Sequence, residues 1–310
     1  MHVVVQLYAE HMDVEIRHLR ALAAIVDASG FTGAAAELGV SQPSVSRTLA
    51  GLEDALGVRL LRRTSREVVL TTAGERVLAH ARRVLAEVDD LVHEARGGHA
   101  RLRVGHAWAA MGEHTVEFQR RWAARHPDVD LQLVRINTPT SGLAEGACDA
   151  AIVRAPTDTG RVVDGRIDGV VVGLESRYCV LAADDPLARR RQLRLADLAD
   201  RVVAVDPRTG TTTRDLWPPA GRPRFEEIHD VDDWLAVIAT GRCVGVTAES
   251  TTNQYGRRGI VFRRLRDAPP VPVRLIWWRD DSHPATRDVV GLLAELYRRG
   301  AHSRAAGTSR

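Results

Sequence analysis

The sequence predicts a mixed architecture: a compact helical module near the N-terminal end, one long helix behind it, and an α/β domain in the rest of the chain. Three observations predict it. Apolar residues recur at spacings of three and four from Met12 to Gly97, interrupted at Gly30, Gly39 and Gly57. After the last interruption an unbroken seam of Val77, Ala81, Val84, Val88, Leu91 and Ala95 keeps one helical face apolar. From Leu102 onward, short β-rich runs alternate with helical ones.

Each element has its own signal. Ile16, Leu19, Ala23 and Val26 place a first helix from about Val14 to Ala28. Thr32 opens a short Ala-rich helix to Leu38, Gly39-Val40 turns the chain, and Ser41 is a good N-cap for a third helix that tolerates Pro43 in its first turn. Val45, Leu49, Leu52 and Leu56 bury one stripe of that helix and leave Gln42, Ser44, Ser46 and Arg47 facing away. A polar face exposed on a helix after a tight turn suits a DNA groove. Arg59, Arg62, Arg63, Thr64, Ser65 and Arg66, followed by alternating Val68 and Leu70, read as a small hairpin with a basic tip. Residues 41–66 hold five Arg against two acids, a local charge of +3.

Thr72 and Glu75 have capping-box spacing, and the helix they start runs to about Ala95. Its seam, flanked by Leu78, Leu85 and Val92, spans three heptads. That length supports pairing with a copy of itself, or packing on its own domain. Strands are expected at 102–105, 129–136, 150–154, 170–174, 178–182, 202–206, 245–247, 260–265 and 271–278, and helices near 112–125, 141–146, 232–240 and 284–299. His302 to Arg310 shows no periodicity and reads as a loose tail.

Composition excludes several classes. The 310 residues are 45% apolar and 27% charged, an ordinary globular balance. All 43 basic residues are Arg, a genome-wide bias rather than a chemical signal, and residues 1–100 carry 11 Arg against 13 acids. Bulk charge therefore says nothing of nucleic acid. Cys148, Cys179 and Cys243 are widely spaced and cannot all pair, which fits a reducing cytoplasm. The run Val3 to Tyr8 is too short for a signal segment, and no stretch is long enough to span a membrane. Nothing in the sequence calls for a cofactor or a metal.

Phe31-Thr32-Gly33-Ala34-Ala35-Ala36-Glu37-Leu38-Gly39-Val40-Ser41-Gln42-Pro43-Ser44-Val45-Ser46-Arg47, with Leu52-Glu53, Leu56-Gly57, Leu60-Leu61-Arg62-Arg63 and Leu70-Thr71-Thr72-Ala73-Gly74, resembles the LysR-type transcriptional regulators. The resemblance is strong over residues 15–95. It implies an N-terminal winged helix-turn-helix at 12–71 and a linker and dimerisation helix at 72–97. A two-lobed, Rossmann-like effector domain similar to periplasmic binding proteins then occupies 101–300. Its first lobe is expected at about 101–177 and 249–300 and its second at about 178–248, with 1–11 and 301–310 as flexible termini. Family members usually start near Met12, so Met1 to His11 reads as an extra segment or a misplaced start.

The resemblance further implies that Gln42, Pro43, Ser46 and Arg47 meet the major groove and that Arg66 enters the minor groove. The residue types agree: Gln bonds adenine and Arg guanine bidentately, and a narrow minor groove attracts Arg. Ser44, Ser46 and Thr64 suit phosphate, and Thr32 and Ser41 complete the DNA-binding set. Arg59, Arg62 and Arg63 are equally suited to DNA and to pairing within the domain. Dimerisation falls to Val77, Ala81, Val84, Val88 and Leu91. The implied particle is a homodimer on double-stranded DNA, with half-sites about 34 Å or a multiple apart, assembled further to a homotetramer and within reach of RNA polymerase.

An inducer cleft is implied between the lobes, beyond the carboxyl ends of strands. Candidate effector-binding residues there are His106, Ala107, Trp108, Ala109, Thr138, Thr140, Arg154, Thr209, Thr211 and Thr247. Where relatives often place Ser or Thr after the first strand, this chain has Ala107-Trp108-Ala109-Ala110, which weakens a carboxylate anchor. Trp108 suits ligand stacking and lobe packing equally. Arg154 suits an acidic effector or a salt bridge. Three competing readings are an enzyme using His106, Cys148 and Asp149, a solute-binding protein, and a helix-turn-helix repressor without a sensor. They lack, respectively, a catalytic motif, a signal peptide, and an account of the α/β half.

Overall fold

A computed structural model describes residues 14–63, 68–154, 165–208 and 211–307. It forms two compact units, one made mainly of residues up to 100 and the other of residues from 101 onward. Thr64, Arg66 and Thr209 lie outside the described residues, as do the expectations for residues 1–11 and for the end of the tail.

The first unit runs α1 (Ile16–Asp27), α2 (Phe31–Leu38), α3 (Gln42–Leu56), β1 (Leu61–Arg63), β2 (Val68–Leu70) and α4 (Thr72–Ala95). Leu22, Ile25, Ala34, Val45, Leu49, Leu52 and Leu60 are buried together, so the apolar stripes of all three short helices meet in one core. Gly39 ends α2 with φ 66, a left-handed turn that lets α3 leave at once. Among the described residues of this unit Glu53 is the one buried acid. It accepts hydrogen bonds from the Leu60 and Leu61 amides at 2.7 and 3.2 Å and pairs with Arg59 at 2.6 Å, fastening the start of β1 to the end of α3.

The cap of α4 lies one residue earlier than the sequence suggested. Thr71, not Thr72, accepts the Gly74 amide at 2.9 Å, because its hydroxyl also donates to the Arg59 carbonyl at 2.8 Å and so ties the helix to the hairpin. A Cβ on Gly74 would fall 2.0 Å from the Leu60 oxygen, so only glycine permits this approach. The seam of α4 divides between its two readings. Ala81 is buried and Val77 half-buried against the unit's own core, whereas Val84 and Leu91 are exposed, Leu91 by 67%.

The second unit holds two sheets. Its first comprises β3 (Ala100–His106), β4 (Val129–Arg135), β5 (Ala150–Val153), β6 (Ile167–Glu175) and β13 (Val271–Trp278), in the order β4-β3-β5-β13-β6. Helices α5 (Thr115–Arg125) and α8 (Thr286–Gly307) belong to this lobe, with Phe118, Trp122, Val289 and Leu293 in its core. The second comprises β7 (Arg177–Ala182), β8 (Gln192–Leu193), β9 (Val202–Val205), β10 (Arg224–Glu227), β11 (Val244–Ala248) and β12 (Ile260–Leu265), in the order β10-β9-β11-β7-β12-β8. Helices α6 (Val231–Ala239) and α7 (Glu249–Gln254) accompany it, and Trp217, Trp234, Leu235 and Ile238 fill its two cores.

Four expectations are corrected. The chain returns to the first lobe after Leu265 rather than at 249, because β12 pairs antiparallel with β7 and parallel with β8. Residues 141–146 form successive turns instead of a helix, with Ser141 (φ 51) and Gly142 (φ 95) left-handed. Strands β8 and β10 and helix α7 are additional; each is too short or too polar to announce itself by periodicity. The C-terminal run is not a loose tail as far as it is described, since α8 continues to Gly307.

Candidate functional site

Two surfaces collect the sequence candidates, one in each unit. On the first, α3 buries Val45, Leu49 and Leu52 and exposes Gln42, Pro43 and Arg47, with Ser44 and Ser46 half-buried beside them. Ser41 caps the helix by its backbone alone, its side chain making no cap hydrogen bond, and stays exposed, as does Thr32 on α2. Of the three ambiguous arginines, Arg59 is placed by its ion pair with Glu53. Desolvation works to raise the Glu53 pKa, but the Leu60 amide and Arg59 outweigh it and hold the carboxyl below its ordinary range. The surface thus presents an amide, hydroxyls and a guanidinium on one helix, the inventory for reading base edges and phosphates.

The second surface is a cleft between the two sheets, enclosing about 460 Å³ of empty space, part of it open to solvent. Ala107, Trp108, Ala109, Thr138, Arg154, Thr211 and Thr247 line it, as the sequence suggested. Two candidates do not: His106 and Thr140 are buried behind the wall. Ser141, beyond the carboxyl end of β4 with Thr138, also lines it, and Pro139, Ile152, Val153, Ala248, Ser250 and Thr251 line it and were missed. The signal was available for Ala248 to Thr251, which simply continue past the carboxyl end of β11.

Among the described lining residues Arg154 is the only charged one, and it is already occupied. Its Nε and Nη2 donate to Glu175 at 3.1 and 2.8 Å, and its Nη1 and Nη2 donate to the carbonyls of Ala109 and Ala110 at 2.6 and 2.7 Å. Glu175 also accepts from the Tyr297 hydroxyl at 2.8 Å and the Ser250 amide at 3.1 Å. Burial alone would push Glu175 up; the Arg154 charge overrides it and holds the carboxyl down at about 2. The network ties β5 and α8 to the point where β6 passes into β7, and through Ser250 to α7.

Other contacts close the lobes over the cleft. Asn137 donates to Asp206 at 2.7 Å and to the His229 carbonyl at 3.1 Å, and the Tyr255 hydroxyl donates to the Trp108 carbonyl at 2.5 Å. Trp108 meets Trp234 edge-on, ring centroids 5.2 Å apart, so it packs the lobes together while lining the cleft. Its indole nitrogen, the Ser250 hydroxyl and Nδ1 of His106 are buried with no hydrogen-bond partner among the described residues. Burial holds His106 down at about 4, so it is neutral at pH 7.

Asp149 accepts the Arg103 amide at 2.6 Å and pairs with its guanidinium. All three cysteines are buried thiols, and burial pushes Cys179 up to about 12, away from thiolate reactivity. Among the described residues no cluster of three or more His, Cys, Asp or Glu could hold a metal, and no helix is long and apolar enough to cross a membrane.

Comparison with known proteins matches residues 16–75 to the family model described as bacterial regulatory helix-turn-helix protein, lysR family, and residues 95–298 to the LysR substrate binding domain. The chain is 35% identical over 281 residues to a small neutral protease regulatory protein of Streptomyces coelicolor (strain ATCC BAA-471 / A3(2) / M145), covering 86% of this chain and 81% of that one. Among solved structures it resembles CbnR, a LysR family transcriptional regulator, with TM-score 0.64 and 24% identity over 92% of this chain and 99% of that one. Full-length CbnR complexed with its target DNA gives TM-score 0.61 and 25% identity over the same shares.

Proposed function

The chain belongs to the LysR family, DNA-binding transcriptional regulators with an effector-binding domain, and from that premise we propose how its parts divide the work. Residues 12–71 read the promoter, residues 72–97 link and pair two copies, and residues 101–300 sense a small molecule. The observation that carries this reading is the face of α3, where Gln42, Pro43 and Arg47 are exposed opposite the buried Val45, Leu49 and Leu52, although Leu56, expected in that stripe, is exposed. Gln42 and Arg47 read base edges in the major groove, and Ser41, Ser44, Ser46 and Thr32 hold the phosphates. Arg66 extends the contact to the minor groove, and Thr64 adds a phosphate contact.

A footprint on the protein's own upstream DNA, at a stated salt concentration, tests this. Arg47→Ala loses about 1–3 kcal/mol of discrimination between the site and unrelated DNA, while its fold and its non-specific binding persist. An unchanged footprint with Arg47→Ala refutes the assignment of the recognition face.

Pairing uses the half of α4 centred on the exposed Val84 and Leu91, with the half-buried Val88 between them, rather than Val77 and Ala81, which the domain already packs. Leu91→Glu weakens the dimer about tenfold or more, roughly 1.4 kcal/mol, by setting a charge in the seam of each copy. Sedimentation velocity reads the shift. Because Leu91 is largely exposed in the single chain, the monomer still folds.

Regulation follows from the cleft. A molecule that binds one arrangement of the lobes more tightly than another shifts their population, and through the paired helices changes how the dimers sit on DNA. Assembly to a tetramer and contact with RNA polymerase complete the reading.

A further inference from the structure

The chemistry of the cleft wall constrains what it takes. Among the described residues its side chains are hydroxyls, apolar groups, one indole and one guanidinium, with no carboxylate. Ser250 is 98% buried, and its hydroxyl has no partner among the described residues. The Trp108 indole N–H, on the opposite lobe, has none either. Buried donors are almost always satisfied, so two orphans on residues that line one cleft mark positions where a bound molecule supplies acceptors. Thr247 and Thr251 add a hydroxyl pair at 2.7 Å on the same wall.

Charge decides between two kinds of acceptor. Arg154 would suit a carboxylate, but Glu175 sits on it, and both side chains are at least nine-tenths buried. The guanidinium spends its Nε, its Nη2 and part of its Nη1 on Glu175 and two carbonyls. His106 behind the wall is neutral, and Arg177 is turned onto the carbonyls of Pro269 and Thr211. Among the described residues that line the cleft, the one charge, that of Arg154, is therefore neutralised by Glu175 behind it. An anion entering the cleft loses its hydration and gains no countercharge, whereas a neutral carbonyl compound satisfies the orphans without that cost.

Resting on the effector-sensing reading above, we infer that the cleft takes an uncharged small molecule bearing carbonyl-type acceptors, held by the Ser250 hydroxyl and the Trp108 indole, and rejects its carboxylate counterpart. Matched acid and amide pairs test this on the full-length protein: acetate against acetamide, benzoate against benzamide, nicotinate against nicotinamide, by calorimetry and thermal shift at constant ionic strength. At least one amide binds tenfold or more tighter than its acid, and Ser250→Ala and Trp108→Phe each weaken that amide about tenfold. Glu175→Gln, confirmed folded by circular dichroism, uncovers the Arg154 charge and reverses the preference within the pair. An acid that binds the unaltered protein as tightly as its amide, or the absence of binding by every amide, overturns the assignment. The DNA footprint is independent of this outcome: if it survives while the amide preference fails, only the ligand class falls, and if it also fails, the regulator reading falls with it.

Discussion

Replacing Arg154 with leucine lowers the stability of the second unit by about 3–5 kcal/mol, the usual result of stripping one partner from a buried ion pair. Glu175 would be left 95% buried with only the Tyr297 hydroxyl and the Ser250 amide, and the carbonyls of Ala109 and Ala110 would lose their donors. Urea unfolding followed by tryptophan fluorescence isolates this effect, since all six tryptophans lie beyond residue 100. Arg154→Leu combined with Glu175→Leu recovers much of the loss, because the pair's desolvation cost is removed along with its attraction. If the double variant is as unstable as the single, the stabilisation resides in the carbonyl contacts instead. The Glu175 carboxyl is held down at about 2, so its share of stability is present above the ordinary glutamate range and disappears as pH falls toward that value.

Glu53→Ala removes about 2–3 kcal/mol from the first unit, the range for hydrogen bonds to a charged group whose buried donors are then left unmade. The amides of Leu60 and Leu61 lose their acceptor, and β1 loses its attachment to α3. This unit contains no tryptophan, so amide exchange at Leu60 and Leu61 is the direct readout, with protection falling by about 30-fold or more. The pH dependence has a definite sign. The folded carboxyl titrates below its ordinary value, so its contribution is complete above about pH 4.3 and is lost on acidification through the lowered value. The difference between the unaltered protein and Glu53→Gln should therefore narrow in acid; a difference that widens would contradict the placement of this charge.

The helical half was legible in detail because each helix buries an apolar stripe and because α2 and α3 end at glycines that the turns require, Gly39 and Gly57. The strands of the second half were legible for a related reason: buried β-rich runs such as Ala150–Val153 and Val271–Trp278 stand out against polar loops. What stayed hidden depends on partners distant in sequence. The crossing back to the first lobe was placed too early because an apolar strand like Ile260–Leu265 carries no mark of which sheet it will join. Thr71 caps α4 in place of Thr72 because of a hydrogen bond to Arg59, twelve residues away. In the cleft, strand ends named seven lining residues correctly, yet no local pattern told that Arg154 would be claimed by Glu175, 21 positions on.

The interleaving of the two sheets bears on how the chain emerges from the ribosome. The second sheet is built from one continuous stretch, β7 to β12, and contains every partner that its strands need. The first is interrupted by that stretch, and β6 joins it solely through β13, which also borders β5. During synthesis the second lobe can close while β6 still waits with an open edge for a strand made about a hundred residues later. A nascent chain stalled before residue 271 would display that edge, with Val170, Val171 and Leu174 exposed on it even in the finished fold, as a template for pairing with another chain. Early termination in this gene should accordingly produce insoluble product rather than a shortened sensor.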